Sequence, residues 1–219
     1  MIVDERIRDY ICSLEPEAES LRGSIAGEAR RQGIPVMRQE TESLLKTLVA
    51  AKQPGAILEV GTAVGYSALL MAQVMPAWGR ITTIEKYRPH MEAAVKNFKE
   101  AREERINLIF GDAEEVLQEL SGPYDFIFMD GAKGQYLHWL PRILELLGEG
   151  GILLSDNVLQ EGTIVQSRFA VERRDRTIHS RMREYLYTLK HTQGLETAIV
   201  PVGDGVAISV KRDTGRKKP

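Results

Sequence analysis

Three oxygen-bearing side chains stand at the ends of two apolar runs: Asp130 closes YDFIFMD, and Asp156 with Asn157 follows GGILLS. If both runs are buried strands of one sheet, their carboxyl ends deliver two carboxylates and an amide oxygen to the edge where open α/β sheets bind ligands. Hard oxygens in that number suit Mg2+ or another divalent cation, which completes its octahedron with water and substrate oxygens. Taken singly, either aspartate reads as a cap or turn residue; the pair with Asn157 reads as a metal site. Lys133 follows Asp130 by three residues. An ammonium beside a dication is disfavoured relative to the free amine, which makes Lys133 the candidate general base; without the metal it is a surface lysine in a glycine-rich loop. A second constellation is AILEVGTAVGYSALLMAQ, in which a strand ends at Gly61, a tight turn reaches Gly65, and an apolar helix follows. Glu85 closes the next strand and can accept hydrogen bonds from ribose hydroxyls. The G-x-G-x-x-G spacing that presses a helix N-terminus against a pyrophosphate is absent, so the expected ligand carries a ribose and no phosphates. Asp112 is placed to contact its base, a role compatible with capping the helix AEEVLQEL.

The elements that must position these residues follow from periodicity. Short apolar runs AILEVG, RITTIE, INLIFGD, YDFIFMD and GGILLSD alternate with amphipathic stretches from Ala56 onward, the pattern of βαβ units around a parallel sheet with helices on both faces. Near the end, ETAIVPV and GVAISVK flank Gly203 and Asp204 and predict an antiparallel hairpin. Residues 1–55 read as helices only, an expected N-terminal extension or lid; residues 56–219 read as the α/β domain, the whole being one structural unit. Before the hairpin, Ile178, Met182, Tyr185 and Leu189 recur at helical spacing, predicting an amphipathic helix whose other faces are basic.

LEVGTAVGYS, the acid of TIEK, FMDGAKGQY and SDNV resemble, in order, the metal-dependent S-adenosylmethionine O-methyltransferases of the catechol and caffeoyl-CoA type. S-adenosylmethionine also meets the description of the ligand derived from the residues. The resemblance, over about residues 35 to 211, implies a Rossmann-like seven-stranded, mostly parallel sheet with an antiparallel final strand. It implies a cofactor site formed by Val36, Met37, Glu59, Gly61, Ser67, Glu85, Asp112, Ala113 and Asp130, a metal held by Asp130, Asp156 and Asn157, Lys133 as base, and a homodimer. Within that class, IPVM, RRDRTIHSRMREY and PVGDGVAISVK are most similar to the bacterial tRNA 5-hydroxyuridine methyltransferases, implying methylation of the wobble base to 5-methoxyuridine. Gly131 and Ala132 depart from the bulky residues that wall a catechol pocket.

Charge bears on the acceptor. The chain has 29 Lys and Arg against 31 Asp and Glu, yet bases cluster at Arg168, Arg173, Arg174, Arg176, Arg181, Arg183 and Lys190 and again in the ending KRDTGRKKP. Such clusters are either solvated faces or a footprint for tRNA phosphates, with Arg173, Arg174 and Arg176 as the expected contacts. A small phenol would need neither cluster. Two further readings compete: a noncatalytic RNA-binding protein on a methyltransferase scaffold, and a nicotinamide oxidoreductase, which the missing pyrophosphate spacing disfavours. One cysteine and four scattered histidines argue against disulfide, thiol or zinc chemistry. Cys12, Trp78 and Trp139 read as packing residues. The polar start MIVDERIRDY lacks a signal-peptide pattern and no apolar run reaches membrane-spanning length, so a soluble, cytoplasmic protein is expected.

Overall fold

A computed structural model describes residues 3–16 and 20–212. The basic ending from residue 213 onward lies outside them. Three helices come first: α1 (Glu5–Ser13), α2 (Ser20–Arg31) and α3 (Gln39–Lys52). Strands and helices then alternate as β1 (Ala56–Val60), α4 (Tyr66–Val74), β2 (Arg80–Glu85), α5 (Arg88–Glu100), β3 (Ile106–Phe110), α6 (Ala113–Glu119), β4 (Tyr124–Met129), α7 (Tyr136–Leu146) and β5 (Leu147–Ser155). Helix α8 (Arg176–His191) precedes the closing hairpin of β6 (Leu195–Val200) and β7 (Val206–Lys211).

The seven strands lie in the order β3-β2-β1-β4-β5-β7-β6. The first five are parallel, while β7 runs antiparallel to both β5 and β6. Chain order reverses between β1 and β4, so a crevice opens beyond their carboxyl ends. Alternation along the strands feeds two cores. Leu58, Ile127, Met129 and Leu153 pack with α6, α7 and α8 on one face. Ile57, Phe126, Phe128 and Leu154 face the other way, onto Leu45 and Val49 of α3 and Leu70 and Met71 of α4. Helix α4 is buried from Tyr66 to Ala72 because it lies beneath both the sheet and the N-terminal helices, which explains why its sequence is apolar all round. Helix α3 thus contributes to the main core.

Two expectations need correction, and a third gains a role. Ile178 is 38% exposed, and His179 takes its place on the buried stripe of α8 beside Met182, Tyr185 and Leu189. Trp78 is 70% exposed, lying as a cover over Gly55. Trp139 is buried in the core as expected, but it also borders the cavity described next.

Candidate active site

At the crevice, Gly61 takes φ 105°, because β1 and β4 converge there: a Cβ would stand 2.5 Å from the carbonyl oxygen of Asp130. Its N–H and that of Thr62 both donate to Ile84 O of β2 at 3.1 Å, which ties the turn to the neighbouring strand. Gly65, at φ 82°, ends the turn and starts α4, where any Cβ would strike the ring of Phe98. This turn floors a cavity of about 260 Å³. Val36, Met37, Gly61, Ser67, Asp112, Ala113 and Asp130 all line it.

Glu85 borders the same cavity and is 8% exposed. One carboxylate oxygen accepts from Ala63 N at 2.8 Å and the other from Tyr87 N at 2.8 Å. Two main-chain donors fix the carboxylate while each oxygen keeps a lone pair, as recognition of two neighbouring hydroxyls demands. Asp112 caps α6, accepting from Glu114 N at 3.0 Å, and lies 3.3 Å from Lys86 Nζ; the backbone donor foremost, then Lys86, holds its carboxyl below the usual range. Glu59 is the exception among the expected cofactor residues. It is fully buried behind the cavity wall and does not line it. Its two oxygens accept from Ser67 Oγ and Thr83 Oγ1, each at 2.5 Å, so its contribution is to aim Ser67. Burial pushes the Glu59 carboxyl up to about 7, against the pull of those hydroxyl donors. The indole of Trp139, whose Nε1 donates to Glu114 Oε2 at 3.1 Å, completes the wall beside Gly131. Sequence reasoning assigned it to packing alone, and nothing in YLHWL distinguishes the two roles.

Beyond Asp130 lies a second, wider cleft of about 710 Å³. Gly131 and Ala132 line both spaces. The ladder continues past the strand ends: Asp130 N donates to Val60 O and Asp156 N to Met129 O, both at 3.0 Å, which sets the two aspartates side by side. Asp156 is 3% exposed. Burial first, and then the charge of Asp130, push its carboxyl up to about 7. Burial likewise raises Asp130, opposed by Lys133, whose Nζ donates to Asp130 Oδ1 at 3.1 Å. Asn157 sits at φ 56°, a left-handed conformation that Asn tolerates better than most residues, and borders the wide cleft with Lys133. Among the described residues no group of three His, Cys, Asp or Glu could hold a metal; here the third oxygen donor would be an amide. A buried Asp156 carboxylate repelled by the half-buried one of Asp130, with a carboxamide next in the chain, fits a hard divalent cation.

Basic residues around the wide cleft are engaged largely with the protein itself. Arg176 donates to Val171 O and Phe169 O at 3.1 and 3.2 Å, Arg181 to Gly134 O at 3.0 Å, and Arg183 to Ile164 O and Gln166 O at 3.4 Å. Arg174 pairs with Glu172 and Asp175. Of the three arginines expected to meet phosphate, Arg176 is therefore a loop support, Arg174 is ion-paired, and Arg173 stands exposed. Arg168 and Phe169 are also exposed beside the cleft, while Glu161, Glu172, Asp175 and Asp204 line it.

A profile described as O-methyltransferase matches residues 18–212. The chain belongs to that family. This methyltransferase is 31% identical to caffeoyl-CoA O-methyltransferase of Populus kitakamiensis over 85% of its own length and 79% of the relative's. A Staphylococcus aureus protein provisionally described as a caffeoyl-CoA O-methyltransferase superposes with a TM-score of 0.87 at 28% identity, covering 94% of this chain and all of that one. A Bacillus cereus O-methyltransferase in complex with SAH has the same fold, with a TM-score of 0.83 at 22% identity over 94% of this chain and 97% of that one. The methyltransferase is S-adenosylmethionine-dependent and of the caffeoyl-CoA and catechol type. No helix among the described residues is long and apolar enough to cross a membrane.

Proposed function

We propose that this methyltransferase works with a divalent cation, Mg2+ foremost, and that its acceptor is 5-hydroxyuridine in the anticodon loop of tRNA. The observation that supports this chemistry is the meeting of the two clefts: Asp130 borders one, Lys133 and Asn157 border the other, Lys133 Nζ lies 3.1 Å from Asp130 Oδ1, and the ladder past β4 and β5 sets Asp156 next to Asp130. A dication held by the two aspartates and Asn157 would polarise two neighbouring acceptor oxygens. The 5-hydroxyl and the C4 carbonyl of 5-hydroxyuridine are such a pair. Lys133 Nζ, as the free amine, would take the hydroxyl proton, leaving the oxygen lone pair to bond the donor's methyl carbon. Bound S-adenosylmethionine would supply the methyl group and take the electrons of its carbon–sulfur bond onto sulfur, leaving as S-adenosylhomocysteine. Positioning accounts for much of the acceleration, up to about 7–11 kcal/mol for well-oriented reactants.

Support for the RNA acceptor comes from the open side of the wide cleft. Gly131 and Ala132 add little bulk where the two clefts meet, exposed Phe169 offers a ring for stacking, and exposed Arg168 and Arg173 offer charge to phosphates. An anticodon loop presents its bases unpaired, so extruding one costs less than in a duplex. A second reading, a small vicinal phenol, is favoured by the four carboxylates lining the cleft, which a neutral acceptor tolerates better than a polyanion.

Labelled methyl transfer decides between them, using tRNA from cells lacking the wobble methylation and, separately, catechol. Incorporation into tRNA that stops with chelator and in Asp156→Ala, with S-adenosylhomocysteine affinity retained, is the expected result. Incorporation that ignores chelation would overturn the metal, and incorporation into catechol alone would replace the RNA acceptor by the phenol.

A further inference from the structure

We propose that Arg38 is a positioning residue that transmits occupancy of the methyl-donor cavity to the loop forming the wall of the wide cleft. The inference rests on the reading of that cleft as the acceptor site. Arg38 directly follows Val36 and Met37, which line the donor cavity, and it is the N-terminal flanking residue of α3. Its guanidinium reaches across the molecule, Nη1 donating to Gly203 O at 3.2 Å and Nη2 to Glu161 Oε1 at 3.0 Å. One fork therefore joins the donor-side segment, the β6–β7 turn and the loop after β5.

That loop depends on outside support. Asn157, Gln160, Glu161 and Gly162 all have positive φ, at 56°, 49°, 53° and 87°, a region three of these four residues enter only against steric resistance. Arg183 of α8 holds its far end at Ile164 O and Gln166 O, and bonds from the β6–β7 turn and from Arg38 before α3 hold its start. Val158 N and Leu159 N donate to Gly205 O and Asp204 O at 2.9 and 3.0 Å, Glu161 N donates to Asp204 Oδ1, and Arg38 grips the Glu161 side chain. The turn is itself seated on α3: Gly203 packs against Thr41 so closely that no Cβ fits. Asn157, Gln160, Glu161 and Thr163 of this loop all border the wide cleft. A ligand that orders residues 35–37 fixes the anchor of Arg38 and thereby the loop conformation. An exposed ion pair alone contributes little, but a guanidinium shared between a carboxylate and a carbonyl fixes direction as well as distance.

Amide hydrogen exchange on the full chain with and without S-adenosylhomocysteine tests this, comparing the wild type, Arg38→Met and Glu161→Gln. Slowing at 34–37 is expected in all three. Slowing at 158–166 should reach about tenfold in the wild type, fall below about twofold in Arg38→Met and be intermediate in Glu161→Gln, which keeps the Gly203 arm. A purely structural arginine would change exchange at 158–166 equally with and without ligand, so the ligand-dependent difference isolates the coupling. Equal ligand-dependent slowing at 158–166 in the wild type and Arg38→Met would overturn the proposal, as would none there in a wild type protected at 34–37. No protection at 34–37 in the wild type would overturn the donor-side assignment and the coupling together. Should Arg38→Met fail to fold, Glu161→Gln carries the comparison, and unchanged transmission in it would count against the proposal.

Discussion

Glu59 and Glu85 look alike in the sequence, each an acid in or at the end of an apolar strand, yet they do different things. Glu85 closes β2 and meets the cavity; Glu59 stands one position before the end of β1 and is sealed behind Ser67. Both faces of the sheet are buried, so alternation gave no sign of which side held the ligand. The difference has a measurable signature in the cofactor-free protein. With its folded-state value raised from 4.5 to about 7, Glu59 contributes stability that is fully present below pH 4.5 and is lost as pH rises through about 7. The cost of charging it is about 3 kcal/mol. Glu59→Gln removes that cost and keeps partners for both hydroxyls. Thermal unfolding of the cofactor-free variant should therefore show a gain of roughly 6–12 °C over wild type at pH 8 and little change at pH 4. Equal shifts at both pH values would contradict the burial argument. Glu85→Ala, by contrast, removes two charge-assisted main-chain bonds and the ribose acceptors, and titration calorimetry should show S-adenosylhomocysteine binding weakened by about 10- to 100-fold.

The strands were legible because apolar runs of five or six residues bounded by Gly, Pro and Asp have few alternatives, and the runs themselves named the ends at which Asp130 and Asp156 fall. The destination of the α8 arginines was not legible. Amphipathic spacing marks a basic face, but whether Arg181 meets water or Gly134 O depends on a loop 47 residues earlier in the chain. The same tertiary dependence replaced the first position of the buried stripe of α8, Ile178, by His179, while Met182, Tyr185 and Leu189 stayed on it. Gly61 is the element-scale test of the site. A methyl group there meets main chain, which cannot swing aside as a side chain can, and φ 105° is strained for alanine. Gly61→Ala should cost more than about 2 kcal/mol in urea unfolding and weaken the donor as β1 and β4 are forced apart. A neutral effect would show that the two strand ends have slack.

At the scale of the whole molecule, net charge says little, because acids line the cleft and the exposed bases stand beside it. Arg168→Glu with Arg173→Glu should lower turnover on tRNA by about tenfold or more and flatten its salt dependence, since each phosphate contact adds to the salt slope. Methylation of catechol should be unaffected; equal losses on both acceptors would remove the case for RNA. The four motifs that marked the family sit at the ends of β1, β2, β4 and β5, which place the chemical groups through main-chain ladders. The outer boundary of the wide cleft comes from a different stretch, residues 160–178, hung between β5 and α8. On the proposed reading of the wide cleft as the acceptor site, donor handling and acceptor choice fall in separable lengths of polypeptide. Exchanging that hanging stretch between cousins offers a route to retargeting the catalyst while its reactive heart stays untouched.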